Sequence, residues 1–183
     1  MNASHETIKD KSPYRRGADD GIPMGLLLIA LFFSMTLAPR SPFAALITVI
    51  LALAGVPVTT FLMLRKSYRR DNSLTLFSSL WMQGIVMFFC ATLLLAMFEY
   101  LYMRFINPSF MENVFLQAAD FYSSSATEQG SGMADMLHTM IDRHLIPGPI
   151  NIAVETIWVG VFTGSVLSAI MAAVVRMKIW KTF

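Results

Sequence analysis

Residues 74–106 constrain the chain more than any other stretch. They read LTLFSSLWMQGIVMFFCATLLLAMFEYLYMRFI, 33 residues with no proline and two charges, Glu99 and Arg104. At 1.5 Å rise per residue such a helix is about 50 Å long. The hydrocarbon core of a bilayer is about 30 Å thick and takes about 20 residues. A helix here crosses a membrane and continues past it unless it tilts or bends strongly. Everything else must pack around it or lie beside it.

Three further spans follow from hydropathy. Only 14% of the chain is charged, where a soluble domain carries about 25%. Ser12-Pro13 resembles an N-cap with proline at the first helical position. A short juxtamembrane helix is expected through Asp20, broken at Gly21-Ile22-Pro23. The first span is then residues 22–38; the mixed charges before it and Pro39 after it favour an anchor over a signal peptide. Pro39-Arg40-Ser41-Pro42 turns the chain into a second span, 43–64, forming a helical hairpin. Pro57 denies a donor to the carbonyl of Leu53 and predicts a kink at Gly55-Val56-Pro57. Residues 65–71 (RKSYRRD) are expected to be a basic loop, with Asp71-Asn72-Ser73 capping the third helix. Gln83 lies inside that helix and must face another helix, because an amide is costly in lipid. Pro147-Gly148-Pro149 precedes a last span at 150–175.

The segment 107–149 has no span of its own. Two pieces, 110–122 and 133–145, gather apolar residues on one arc and polar residues on the other at helical spacing. Both fit amphipathic helices, lying at the interface or folded over the bundle, with 123–132 as a flexible joint. The expected fold is an all-α membrane protein, one membrane domain over 1–183. It has four transmembrane helices and two amphipathic helices between spans three and four.

Alternating the loops across the membrane puts Lys9, Lys11, Arg15, Arg16, Arg65, Lys66, Arg69, Arg70, Arg176, Lys178 and Lys181 on one side. Arg40, Arg104 and Arg143 fall on the other, with Glu99, Glu112, Asp120, Glu128, Asp135, Asp142 and Glu155. The positive-inside rule then places both termini and residues 65–71 in the cytoplasm and the acidic segment outside.

Four features bear on function. Gly160, Gly164, Ser168 and Ala172 recur every four residues, a face on which helix backbones approach closely. That face serves packing within the chain or a seam to a protein partner or second copy. Arg15, Arg16, Arg65, Lys66, Arg69 and Arg70 form a candidate cytoplasmic docking patch beside the membrane lipids. Asp19 and Asp20 are placed to neutralise part of it and to hold the N-terminal segment against residues 65–71. Glu99 and Glu155 are candidate outer-interface acids, expected near the surface where a carboxylate stays hydrated. Asp135, His138 and Asp142 share a helix face and read as a solvated surface rather than metal ligands. Cys90 is the only cysteine, which excludes an intrachain disulfide. No Ser-His-Asp order or Gly-rich phosphate loop supports an enzyme; no cofactor and no nucleic-acid partner are expected.

YRRGADDGIPMG before the first span, RKSYRRD after the second, FINPSF after the third and the long segment before the fourth resemble an uncharacterised (domain-of-unknown-function) family of four-span bacterial inner-membrane proteins. The resemblance covers nearly the whole chain. It implies an inner-membrane location and a pathway shared with polyprenyl-phosphate glycosyltransferases, and assigns no activity or functional residue. The expected function is a non-catalytic accessory or scaffold subunit that holds a cytosolic glycosyltransferase; the alternative is a small lipid or solute transporter or flippase.

The charge split predicts the side on which each loop is reached. In a Cys90→Ala background, Ser125→Cys should react with an impermeant thiol reagent on cells with an opened outer envelope. A cysteine within 65–71 should react only after the inner membrane is permeabilised; the opposite pattern inverts the topology.

Overall fold

The computed structural model describes residues 12–70, 75–124, 128–143 and 145–177. It is all-helical, and four of its helices are long and apolar enough to cross a membrane. The chain falls into two compact units. One comprises Met1–Leu95 and Thr156–Phe183, the other Ala96–Glu155.

In the first unit, α1 runs unbroken over Pro13–Leu37. Ser12 is its N-cap, accepting a hydrogen bond from the Arg15 amide, and Pro13 opens it. The expected break at Gly21-Ile22-Pro23 does not occur. Pro23 removes one donor, but membrane helices tolerate proline where neighbouring elements hold the segment, and Gly17, Gly21, Met24 and Gly25 around it are buried. A 3-10 turn, Ala38–Arg40, leads into α2, Pro42–Ile50. The hairpin is tied across by a hydrogen bond from Thr48 Oγ1 to Ser34 Oγ, 3.0 Å.

The second span contains the irregularity that Pro57 implies. Residues Leu51–Gly55 form a π turn, in which the Val56 amide reaches back to the Leu51 carbonyl. The widened turn accommodates a backbone position with no N–H to offer. Beyond it, α3 spans Val56–Arg70. The basic stretch is therefore the last turns of a helix, not a loop, as far as Arg70. The expected cap at Asp71-Asn72-Ser73 lies outside the described residues.

Helix α4, Phe77–Leu101, is the hub. Of its apolar window 39% is buried, against 6–17% for the other spans. Gly17, Gly21 and Gly25 of α1 lie against it. A Cβ on Gly17 would sit 2.6 Å from the Gln83 carbonyl oxygen, one on Gly21 2.6 Å from Cys90 Cβ, and one on Gly25 2.9 Å from Leu94 Cδ1. The partners advance with the glycines, so α1 and α4 run parallel.

On another side of α4, Gly84 meets Ser168, Phe88 meets Gly164 and Thr92 meets Gly160. One series rises as the other falls, so α7, Pro149–Arg176, runs antiparallel to α4. Two apolar clusters complete this unit. Met24, Met87, Phe88 and Ala91 form one; Leu64, Tyr68, Leu80, Ala172 and Val175 form the other, nearer the Arg70 end of α3.

In the second unit, α4 ends in a π turn, Tyr102–Ile106, closed by a 2.9 Å bond from the Asn107 amide to the Tyr102 carbonyl. Helices α5, Phe110–Ser123, and α6, Glu128–Asp142, pack on each other. The joint is shorter than expected, since α6 already begins at Glu128.

Glycine at these contacts is a matter of space. Gly164→Ala drives a methyl into the Phe88 ring and should destabilise the protein by about 1–3 kcal/mol, as overpacking does. Gly132 lies in α6 with nothing near its missing Cβ; Gly132→Ala should instead stabilise its helix by about 0.5–1 kcal/mol. Melting temperatures in detergent should shift in opposite directions; a loss for Gly132→Ala equal to that for Gly164→Ala would refute the contact map.

A candidate docking site at the basic end of the first unit

Three helices bring one polar side chain each to a single point. Gln83 of α4 is 2% exposed. Its Nε2 donates at 2.8 Å to Asp20 Oδ2 of α1 and at 2.8 Å to Ser67 Oγ of α3. Ser67 is itself buried. Both amide hydrogens are thus used between helices, where an unsatisfied amide in an apolar setting is costly. Lys66 and Arg70 act electrostatically on the same Asp20 carboxylate.

This junction fixes the ends of α1 and α3. The expected tie between the acidic pair and residues 65–71 takes the form of Asp20 bridged through Gln83 to Ser67. On the helices it joins, Arg15, Lys66, Arg69 and Arg70 are exposed. Arg16 is buried, at 9% exposure, so it belongs to the helix packing rather than the open surface. Arg65 is half-buried, with its guanidinium 5.9 Å from the centroid of the Phe61 ring one turn back on α3. Tyr68 and Val175 share an apolar cluster, and exposed Arg176 follows Val175. Of the six candidate docking residues, three cations of α3 and one of α1 are exposed, on two of the helices that the junction joins.

The other candidates are scattered. Gly160, Gly164 and Ser168 face α4, and Ala172 is buried in the cluster with Leu64 and Leu80. That face lies against α4 of the same chain. In the second unit, Glu99 is buried at 7% exposure, contrary to the hydrated position expected. Spacing explains this: Ala96, Glu99 and Met103 are all buried and lie on one stripe of the helix. Glu155 and Arg104 are exposed, as are Asp135, His138 and Asp142 along α6.

Sequence reasoning missed the stripe Gly17, Gly21 and Gly25. Its signal was present, three glycines at intervals of four, but the neighbouring Pro23 drew the reading toward a helix break. The partners of Gln83 were also missed, because spacing shows that a polar residue needs company without naming it.

The junction predicts graded losses. Gln83→Leu removes both hydrogen bonds and leaves a carboxylate without its amide partner, costing about 1–3 kcal/mol. Ser67→Ala removes one neutral bond and should cost about 1 kcal/mol or less. Equal melting temperatures for the two variants would mean that Gln83 does not hold α1 and α3 together.

No curated protein and no solved structure matches the chain. A family model described as "Protein of unknown function (DUF4199)" matches residues 20–177. The match takes in α1 from Asp20, the whole of α2 to α6 and α7 to its end, which is three of the four apolar helices whole and most of the first. The chain is a member of this uncharacterised family.

Proposed function

We propose that this protein is a non-catalytic accessory or scaffold subunit whose basic end docks a peripheral enzyme at the cytoplasmic face of the inner membrane. The observation that supports this reading is the pairing of exposed Arg15, Lys66, Arg69 and Arg70 with the buried Asp20–Gln83–Ser67 junction beneath them. Topology needs positive charge on that side but not fixed positions. Guanidinium groups held on helical turns suit bidentate binding of carboxylate or phosphate, where lysine offers a point charge. The partner class we propose is a glycosyltransferase acting on polyprenyl-phosphate lipids, whose acidic surface meets the arginines.

The packing of the first unit argues for a scaffold over a transporter. A transport path needs polar groups free to bind cargo near mid-membrane. Here the buried hydroxyls of Thr60 and Thr92 bond to carbonyls of their own helices, Val56 and Phe88, at 2.8 Å each. The glycine contacts bring α1 and α7 into close contact with α4.

The test uses native membranes solubilised in mild detergent, with co-purifying proteins identified by mass spectrometry. Arg69→Lys with Arg70→Lys should keep insertion and topology yet lower partner recovery several-fold; Arg69→Ala with Arg70→Ala should abolish it. Undiminished recovery of a stoichiometric partner with both pairs would reduce the patch to a topology signal.

A further inference from the structure

The α5–α6 hairpin has two chemically opposite sides. Its helices are joined by four residues and pack on each other, so they run antiparallel. Ala119 and Ala134 are buried, at 0% and 4% exposure, and mark the contact sides. On α5 the half-buried Phe115 shares that side with Ala119; on α6 Leu137 and Ile141 share it with Ala134. At about 100° per residue, Val114 and Phe121 lie about 120–140° round α5 from the midpoint of Phe115 and Ala119, and Glu112 lies about 40° round the opposite way. On α6, Met133 and Met140 lie about 80° round in the same sense as Val114 and Phe121, and Asp135 and Asp142 lie more than about 100° round the other way. Rotations of the same sense on two antiparallel helices point to one side of the pair. The exposed Val114, Phe121 and Met133 (40%, 69% and 44% exposed) therefore share one side of the hairpin, with Met136 (59%) at its edge. Glu112, Asp135 and Asp142 share the other; Leu116 is the one large apolar residue there.

The tethers decide what covers the apolar side. Three residues separate Ile106 from Phe110, a reach of about 14 Å at most. The Phe110 ring sits edge-on to Tyr102 at 5.6 Å, and Tyr102 stacks on Phe98 at 6.3 Å. The start of α5 is thus pinned by aromatic rings to the last turn of a membrane span, at the depth where such rings gather. Phe105, Ile106 and Ile150, at the ends of the apolar helices on either side of the hairpin, are 72%, 68% and 59% exposed.

We propose that the α5–α6 hairpin lies in the membrane interface, with Val114, Phe121 and Met133 among the lipid acyl chains of the adjoining leaflet and Glu112, Asp135 and Asp142 in water. The acidic side excludes a grip on anionic head groups, so apolar area holds the hairpin and salt does not release it.

The test is collisional accessibility of nitroxide labels on the full chain in lipid nanodiscs, in a Cys90→Ala background that keeps the Cβ facing Gly21. Labels at Phe121→Cys and Met133→Cys should meet oxygen several-fold more readily than a water-soluble nickel chelate. Labels at Glu112→Cys and Asp135→Cys should show the reverse, and high salt should change neither. Val114→Cys and Met136→Cys replace the first pair if either fails to give a monodisperse protein. Exclusion of both reagents from the apolar positions would mean that the hairpin folds over protein. Preference for the nickel chelate there would mean that it stands in water. Either result overturns the proposal.

Discussion

The first unit depends on how closely backbones can approach α4. In lipid, apolar side chains gain little by leaving the solvent for one another, so helices associate through dispersion at short range and through polar contacts. Glycines meet that need on both partners of α4. Gly17, Gly21 and Gly25 bring α1 against it, and Gly160 and Gly164, with Gly84 opposite Ser168, bring in α7. The same closeness lets a short amide side chain, Gln83, reach α1 and α3 at once. If the helices stood a methyl group further apart, those bonds would lengthen beyond useful range.

Two kinds of interaction thus divide the work along α4. At the levels of Phe88 and Thr92 the contact with α7 is steric, and the Thr92 hydroxyl turns onto its own helix. Near Gln83 it is polar and directional, and it joins the helices that carry exposed Arg15, Lys66, Arg69 and Arg70. A steric seam tolerates sliding along its ridges better than a bonded one, so the Gln83 junction sets the register at the basic end. The proposed docking role rests on that fixed register.

Much of the architecture was legible from composition and spacing. Four apolar stretches, the Ser12-Pro13 start of α1, the hairpin at Pro39–Pro42 and the two amphipathic pieces all rest on signals within a few residues of each other. Membership in a family of unknown function was also legible, from short motifs around the spans. The misreadings share a physical cause. Pro23 and residues 65–70 look like helix ends in isolation, yet packing holds the first within α1, and the second simply continues α3 to Arg70. Glu99 was placed by counting depth along the helix, whereas its burial is set by which way round the helix it points. Depth can be counted from a sequence; the direction of a side chain in a helix with few polar markers cannot.

The order of the elements has a consequence for biosynthesis. Domains and spans emerge from the ribosome N-terminal first. Asp20 and Ser67 both precede Gln83 in the chain, so the two acceptors of its amide are already made when α4 reaches the bilayer. The Gln83 amide, buried near the start of that helix, enters lipid with its bonding partners waiting. A rearranged gene that placed α4 ahead of α1 and α3 would encode the same contacts, but would ask the insertion machinery to release a bare amide into hydrocarbon.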